Sequence, residues 1–193
     1  MRLRGLYAIT PEASDAVETV RLALEGGVAL LQYRRKRRDL AEARAVAALA
    51  RRHGVPLIIN DDVELALELD ADGVHLGRDD GDLGAARRRL GDRLVGASCY
   101  DDPELARRAV QAGADYVAFG SVFASPTKPA AVRAPLTLFA APLGVPLCAI
   151  GGITLENAPR VLAAGAELLA VVSDLFDAPD IRARAAQYRG LFA

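Results

Sequence analysis

The stretch Leu57-Ile58-Ile59-Asn60-Asp61-Asp62-Val63-Glu64-Leu65-Ala66-Leu67-Glu68-Leu69-Asp70-Ala71-Asp72-Gly73-Val74-His75-Leu76-Gly77-Arg78-Asp79-Asp80 reads as strand, helix, strand. A carboxylate stands just past each strand, Asp61 after the first and Asp80 after the second. If the two strands lie side by side and parallel, both acids meet at one rim of the sheet. A pair of carboxylates with an amide or water nearby suits a hard cation that keeps several waters and grips a substrate phosphate. That describes Mg²⁺ better than zinc or calcium. The competing reading is that Asp61 and Asp62 only cap the helix that begins at Val63.

Outward from this stretch the same alternation runs the length of the chain. Strand candidates are Gly5–Ile9, Val28–Tyr33, Leu57–Ile59, Gly73–Leu76, Leu94–Ala97, Tyr116–Gly120, Val145–Ile150 and Glu167–Val172. Apolar residues at helical spacing fill the gaps, as in Asp15–Glu25, Leu40–His53, Asp102–Gln111, Leu155–Ala163 and, last, Pro179–Arg189. The weakest helical pattern is Pro135–Ala141, where prolines crowd the segment. A turn of one kind recurs: Glu25-Gly26-Gly27-Val28, Asp70-Ala71-Asp72-Gly73, Ala112-Gly113-Ala114-Asp115 and Ala164-Gly165-Ala166-Glu167 each end a helix and start a strand. Their spacing spans two strand–helix units, so four such doublets make eight, which predicts a (βα)8 TIM barrel over residues 1–193 as one domain. An open doubly wound sheet shares the alternation and is the second choice. The first strand is followed by no GxGxxG, which argues against a dinucleotide.

Composition narrows the class. The chain of 193 residues is 52% apolar with a formal charge of −1, so there is no basic excess to suggest nucleic acid. The run Arg87-Arg88-Arg89 reads as a solvated helix face. Cys99 and Cys148 lack metal spacing and read as reduced core residues of a cytoplasmic protein. No apolar run reaches the roughly 18–20 residues of a bilayer span, and the first residues do not read as a signal peptide.

Barrel enzymes carry their chemistry on the loops that follow the strands. That rim collects Gln32, Arg34 and Lys36, then Asn60 and Asp61, Asp80, Ser98, Ser125, Thr127 and Lys128, Gly151-Gly152, and Ser173 after Val172. Alternation puts Leu30, Gln32 and Arg34 on one side, and an amide and a guanidinium in a barrel mouth need partners such as a heterocycle and an anion. Gly151-Gly152 lets backbone N–H groups approach a phosphate, and Thr154 is placed to begin the next helix. The long connection from Ser121 to Ala134 carries Ser125, Thr127 and Lys128. With Arg34, Lys36 and a metal, the rim suits a pyrophosphate-sized anion beside a smaller one, and so a group transfer away from pyrophosphate. His75 alternates against Val74 and Leu76 and so faces the interior, as a structural histidine or a ligand contact. His53 reads as a helix-end residue before Gly54.

The chain resembles the thiamine-phosphate synthase family over nearly its whole length. The residues that carry this are Leu6-Tyr7-Ala8-Ile9-Thr10, Gln32-Tyr33-Arg34-Arg35-Lys36, Asn60-Asp61-Asp62, Asp72–Asp80, Gly96-Ala97-Ser98, Gly113-Ala114-Asp115-Tyr116-Val117, Thr127-Lys128, Ile150-Gly151-Gly152-Ile153 and Val172-Ser173. The resemblance implies a transferase that joins hydroxymethylpyrimidine diphosphate to a thiazole phosphate with Mg²⁺ and releases pyrophosphate. By that likeness Asp61 and Asp80 hold the Mg²⁺. Arg34, Lys36, Lys128 and Asn60 contact the pyrophosphate, and Gln32 and Ser98 orient the pyrimidine. Thr127, Gly152, Val172 and Ser173, with Ser125, line the thiazole phosphate. Arg34, Lys36, Ser98 and Lys128 are the residues expected to act on the reaction itself. The chain departs from the family at Arg78, Asp79, Ser121 and Ser125.

A thiazole nitrogen already has its lone pair, so this reaction needs no catalytic base and suits a chain with two histidines. Three other readings stand beside it. A thiazole tautomerase on the same scaffold resembles this chain but carries a histidine where Ser121 stands, and its proton transfer needs one. A non-catalytic phosphate-ligand sensor has no use for a metal pair and two anion clamps. A sugar-phosphate epimerase wants paired acid and base groups across the barrel. The residues leave open the oligomeric state and the form of the thiazole.

Overall fold

The computed structural model of the chain describes residues 3–13, 15–124 and 132–193. Eight parallel strands close into a barrel in sequence order: β1 (Gly5–Ile9), β2 (Leu30–Tyr33), β3 (Leu57–Asn60), β4 (Gly73–Leu76), β5 (Leu94–Tyr100), β6 (Tyr116–Gly120), β7 (Leu147–Ile150) and β8 (Leu168–Val171). The last strand pairs with the first, Tyr7 opposite Ala170, so β1 has a partner on each side. An open sheet is thereby excluded. Around the ring lie α1 (Ala16–Gly26), α2 (Leu40–His53), α3 (Val63–Glu68), α4 (Leu83–Leu90), α5 (Pro103–Gln111), α6 (Ala158–Ala163), α7 (Ser173–Phe176) and α8 (Ile181–Gly190).

Both faces of the strands are covered along most of their length, which is why the strands read as apolar runs rather than alternating ones. Tyr7, Leu30, Ile58, Tyr116, Cys148 and Leu168 fill the inside of the ring. Leu6, Leu31, Ile59, Val74, Val117 and Leu169 pack outward under the helices. Each such residue contributes about 1.5–3 kcal/mol by burial, and a truncation such as Leu31→Ala costs about 2–5 kcal/mol. Helices α2, α3, α4, α5 and α8 each begin after an aspartate whose side chain accepts from a first-turn N–H: Asp39, Asp62, Asp82, Asp102 and Asp180.

The recurring turn has a physical job at the far end of the barrel from the mouth. Asp72 accepts from Leu57 N–H at 2.8 Å and Asp115 from Val95 N–H at 2.7 Å, each tying a strand start to its neighbour. Gly27, Gly113 and Gly165 turn the chain there with φ of 103°, 99° and 111°, a region glycine enters without strain. Arg87 belongs to this end and corrects the reading of its run as a solvated face. Its guanidinium donates to the carbonyls of Gly113 (3.0 and 2.9 Å), Gly91 (2.6 Å) and Arg93 (2.6 Å) and pairs with Asp115. Arg88 is exposed, and Arg89 pairs with Glu64.

Other departures are local. β5 runs on through Ser98 to Tyr100, past a register shift between those two residues, because Cys99 stays buried under the helices. The proline-crowded segment forms a 3₁₀ helix, Leu136–Ala140, instead of an α-helix. Two helices, α7 and α8, follow β8 where one was expected. Helix α6 starts at Ala158, after a turn, so Thr154 does not begin it. Cys99 and Cys148 are free and buried, and burial pushes the Cys99 thiol up to about 12. Among the described residues no helix is long and apolar enough to cross a membrane.

Candidate active site

At the mouth, Asn60 ends β3 and Asp61 follows in the left-handed region, φ 63°, with its N–H donating to the carbonyl of His75 at 2.9 Å. Asp62 is the helix cap, accepting from Leu65 N–H at 2.8 Å, so the capping account holds for Asp62 and leaves the Asp61 carboxylate for other work. Asn60 donates to that carboxylate. Asp80 folds back over the end of β4 to accept from Gly77 N–H at 2.7 Å. A Cβ at Gly77 would lie 2.6 Å from the Asp80 oxygen, so the close approach requires glycine there. The two acids do meet. Burial and then the adjoining Asp80 carboxyl push the Asp61 pKa up to about 6, against the opposing pull of Asn60 and Arg34.

Beneath the mouth a line of polar groups crosses the barrel interior. Gln32 Nε2 donates to the Tyr7 hydroxyl at 2.6 Å, and Tyr7 and Tyr116 share a hydrogen bond of 2.7 Å. Tyr116 meets His75 Nδ1 at 3.0 Å, and His75 Nε2 meets Ser98 Oγ at 2.8 Å. Gln32, Ser98 and His75 were legible as rim or interior residues; Tyr7 and Tyr116 were not assigned to the site. Their signal was a phenol at an inward position of a buried strand, since a buried hydroxyl needs a partner. Gly96 makes room for this line: a Cβ there would sit 2.1 Å from the Tyr116 ring. Burial holds the His75 imidazole down to about 4 and pushes both phenols far above the ordinary tyrosine range. His75 is therefore a neutral, hydrogen-bonded ring.

The basic loop after β2 divides its labour. Arg35 is structural, donating to Glu42 at 2.7 and 3.1 Å and to the carbonyl of Ala13 at 3.1 Å. Arg34 and Lys36 keep their side chains exposed, and the Arg34 charge is felt at Asp61. Thr10 clasps Arg34 from both sides, its Oγ1 accepting from the Arg34 N–H at 2.9 Å and donating to the Arg34 carbonyl at 3.1 Å.

Across the mouth, Gly151 and Gly152 turn with φ of 100° and 64°. A Cβ on Gly152 would lie 2.3 Å from the Ala124 carbonyl. Asn157 secures the turn, accepting from Thr154 N–H at 2.9 Å and donating to the Gly152 carbonyl at 2.9 Å. Beyond β8, half-buried Val172 packs on the inner cluster and exposed Ser173 opens α7. The next residue, Asp174, is gripped by Tyr188 at 2.7 Å and Arg184 at 2.7 Å, both on α8. Ser125, Thr127 and Lys128 lie outside the described residues.

Thus the ends of β3 and β4 carry two acids, the loop after β2 carries free cations, the interior offers an amide and a hydroxyl, and the ends of β7 and β8 offer a glycine turn and a serine. Such a rim gathers hard oxygen donors, cations and hydrogen-bonding groups suited to polar and anionic ligands, and burial lowers the pKa of the interior imidazole, His75. Among the described residues no three acids, histidines or cysteines cluster as a closed metal cage. Two carboxylates leave room for the several waters that magnesium retains.

Comparison with known proteins gives the family of the chain. The family model described as thiamine monophosphate synthase matches residues 6–175. The thiamine-phosphate synthase of Aromatoleum aromaticum is 63% identical, over 99% of this chain and 97% of its own. That of Azoarcus sp. is 56% identical over 100% and 98%. Among solved structures, the thiamine phosphate pyrophosphorylase of Pyrococcus furiosus superposes with a TM-score of 0.87 at 34% identity, covering 98% of this chain and 96% of its own.

Proposed function

The chain belongs to the thiamine monophosphate synthase family and functions as a thiamine-phosphate synthase, a transferase; from that premise we propose how its mouth is shared between two substrates. Hydroxymethylpyrimidine diphosphate lies over the interior line with its diphosphate toward Asp61 and Asp80. A thiazole phosphate lies toward β7 and β8. The thiazole nitrogen forms a bond to the pyrimidine methylene carbon while the carbon–oxygen bond to pyrophosphate breaks, and pyrophosphate leaves with the electron pair.

The observation that carries this reading is the pairing of Asp61 with Asp80: burial first, and then the neighbouring carboxyl, raises the Asp61 pKa to about 6, and a bound cation would relieve both costs. Two hard oxygen donors at that spot fit Mg²⁺, which when bound supplies positive charge to the diphosphate oxygens. The chain's own cations do the rest of the charge stabilisation. Arg34, Lys36 and Lys128, with the Asn60 amide, meet the charge that builds on the departing pyrophosphate. Gln32 and Ser98 orient the pyrimidine. Gly152 and Ser173, with Val172, Thr127 and Ser125, hold the thiazole phosphate, in keeping with the habit of barrels to bind phosphate after strands seven and eight. Two buried thiols accord with a cytoplasmic setting.

A tautomerase is not favoured. Its proton transfer needs an acid–base group where Ser121 stands, and the Ser121 hydroxyl is spent donating to the Phe123 carbonyl at 2.8 Å. The test is pyrophosphate release measured with both substrates and Mg²⁺, omitting each of the three in turn. Release only when all are present is expected. Release without the thiazole would mean hydrolysis, and proton exchange on the thiazole without joining would mean the tautomerase.

A further inference from the structure

The interior line of hydrogen bonds has a direction, and following its protons shows what each end offers a ligand. Gln32 Nε2 donates to Tyr7, so the single Tyr7 proton goes on to the Tyr116 oxygen. The Tyr116 proton then goes to His75 Nδ1. A neutral imidazole that accepts at Nδ1 carries its hydrogen on Nε2, which donates to Ser98 Oγ. What remains unspent is the carboxamide oxygen with the second Nε2 hydrogen at Gln32 and the hydroxyl proton at Ser98. The relay fixes which atom of the Gln32 amide stands where, and so the order in which its acceptor and donor meet a ligand.

Nothing along the line reverses cheaply. Gln32 is 2% exposed, Tyr7 1%, Tyr116 0% and His75 7%, so bulk water does not reach these links. Among the described residues no buried side-chain nitrogen or oxygen lacks a partner. Reversal demands that the Gln32 amide rotate by half a turn and that all the hydroxyls and the imidazole hydrogen shift together, because a half-turned line leaves two donors or two acceptors facing each other.

We propose that this buried relay sets the polarity with which the mouth reads its heterocycle, with Tyr7, Tyr116 and His75 acting as positioning residues for Gln32 and Ser98. The proposal rests on the reading that Gln32 and Ser98 face the pyrimidine. An aminopyrimidine answers both ends: its exocyclic amine donates to the Gln32 oxygen, and a ring-nitrogen lone pair accepts from Ser98. A pyrimidine with an oxo group in place of the amine sets oxygen against oxygen at Gln32, and the relay keeps the amide from turning to relieve it. Discrimination of about a hundredfold or more in kcat/KM follows, because a buried polar group is left opposed rather than merely unpaired.

Two measurements test this. The first is the ¹⁵N spectrum of the histidine rings in the free protein at neutral pH, with His53→Gln identifying the other of the two. His75 protonated on Nε2 with bare Nδ1 is expected; the hydrogen on Nδ1 overturns the direction of the relay. The second compares the diphosphates of a 4-aminopyrimidine and its 4-oxo counterpart as substrates of the wild type, Tyr7→Phe and Tyr116→Phe. Tyr7→Phe frees Gln32 and is expected to cut the preference at least tenfold, while Tyr116 still donates to His75 and the imidazole spectrum is unchanged. Tyr116→Phe is expected to cut the preference and to release the imidazole hydrogen from Nε2 alone. An unaltered preference in Tyr7→Phe overturns the proposal even if Tyr116→Phe fails to fold. Absence of turnover with either base overturns the functional reading, and the imidazole spectrum tells that apart from a relay running the other way.

Discussion

Replacing Asp61 by asparagine should make the metal-free protein more stable and the magnesium-loaded protein less so. Asparagine tolerates the left-handed backbone at this position, φ 63°, and keeps the side-chain shape, so the charge is the main change. The Asp61 pKa is raised from an ordinary 3.8 to about 6, so whatever stability that carboxyl offers is complete below about pH 3.8 and lost as pH rises through about 6. Unscreened, that displacement is worth about 3 kcal/mol. Asp61 is exposed, and solvent screening reduces it to about 1 kcal/mol. At pH 8 without metal, Asp61→Asn should therefore gain about 1 kcal/mol, or roughly 2–4 °C in Tm for a chain of this size. At pH 4 the gain should vanish. Magnesium at 100 times its dissociation constant stabilises the wild type by about 2.7 kcal/mol through mass action and the variant by far less, so the order inverts. Thermal melts at pH 4 and pH 8, with and without MgCl₂, read all four corners. A variant that melts lower than the wild type at pH 8 without metal, or that keeps the full magnesium shift, refutes the reasoning.

Two further outcomes follow from other groups. Burial holds the His75 pKa near 4 instead of 6.5, so its contribution to stability is intact above about pH 6.5 and lost as pH falls toward 4, about 3 kcal/mol in all; urea titrations of Asp61→Asn between pH 7 and 4.5 should show that slope, and His75→Gln should flatten it. Arg87→Lys should cost about 2 kcal/mol in urea, because an ammonium cannot reach the carbonyls of Gly91, Arg93 and Gly113 at once, while pyrophosphate release per folded molecule stays at the wild-type rate.

The barrel was legible because turns bracket its strands: β1, β4 and β6 begin and end where glycine turns and apolar runs predict. β5 outran its reading because Ser98 looks like an end, although the backbone carries on to bury Cys99. The two acids were legible for the same reason as the strands, since each stands one or a few residues past an apolar run. The relay was not. Gln32 lies 25 residues from Tyr7, and Tyr7 lies 109 from Tyr116, so those contacts exist only once the ring has closed. In a linear string a tyrosine on an apolar strand reads as core. Arg87 misled for a related reason: its carbonyl partners are backbone, and no side-chain pattern announces a backbone acceptor.

The grip of α8 on Asp174 has a consequence for how the molecule is finished. The ring is sealed where the most distant parts of the chain meet, β1 against β8 and α1 against α8. Tyr188 and Arg184 bolt that seam to the residue beside Ser173. The pocket proposed for the monophosphate would therefore sit on the joint made of the contacts most remote in sequence, the kind whose closure is slow in folding. A phosphate lodged there would act as a clasp on the joint, and whatever pries α8 from α1 would empty it.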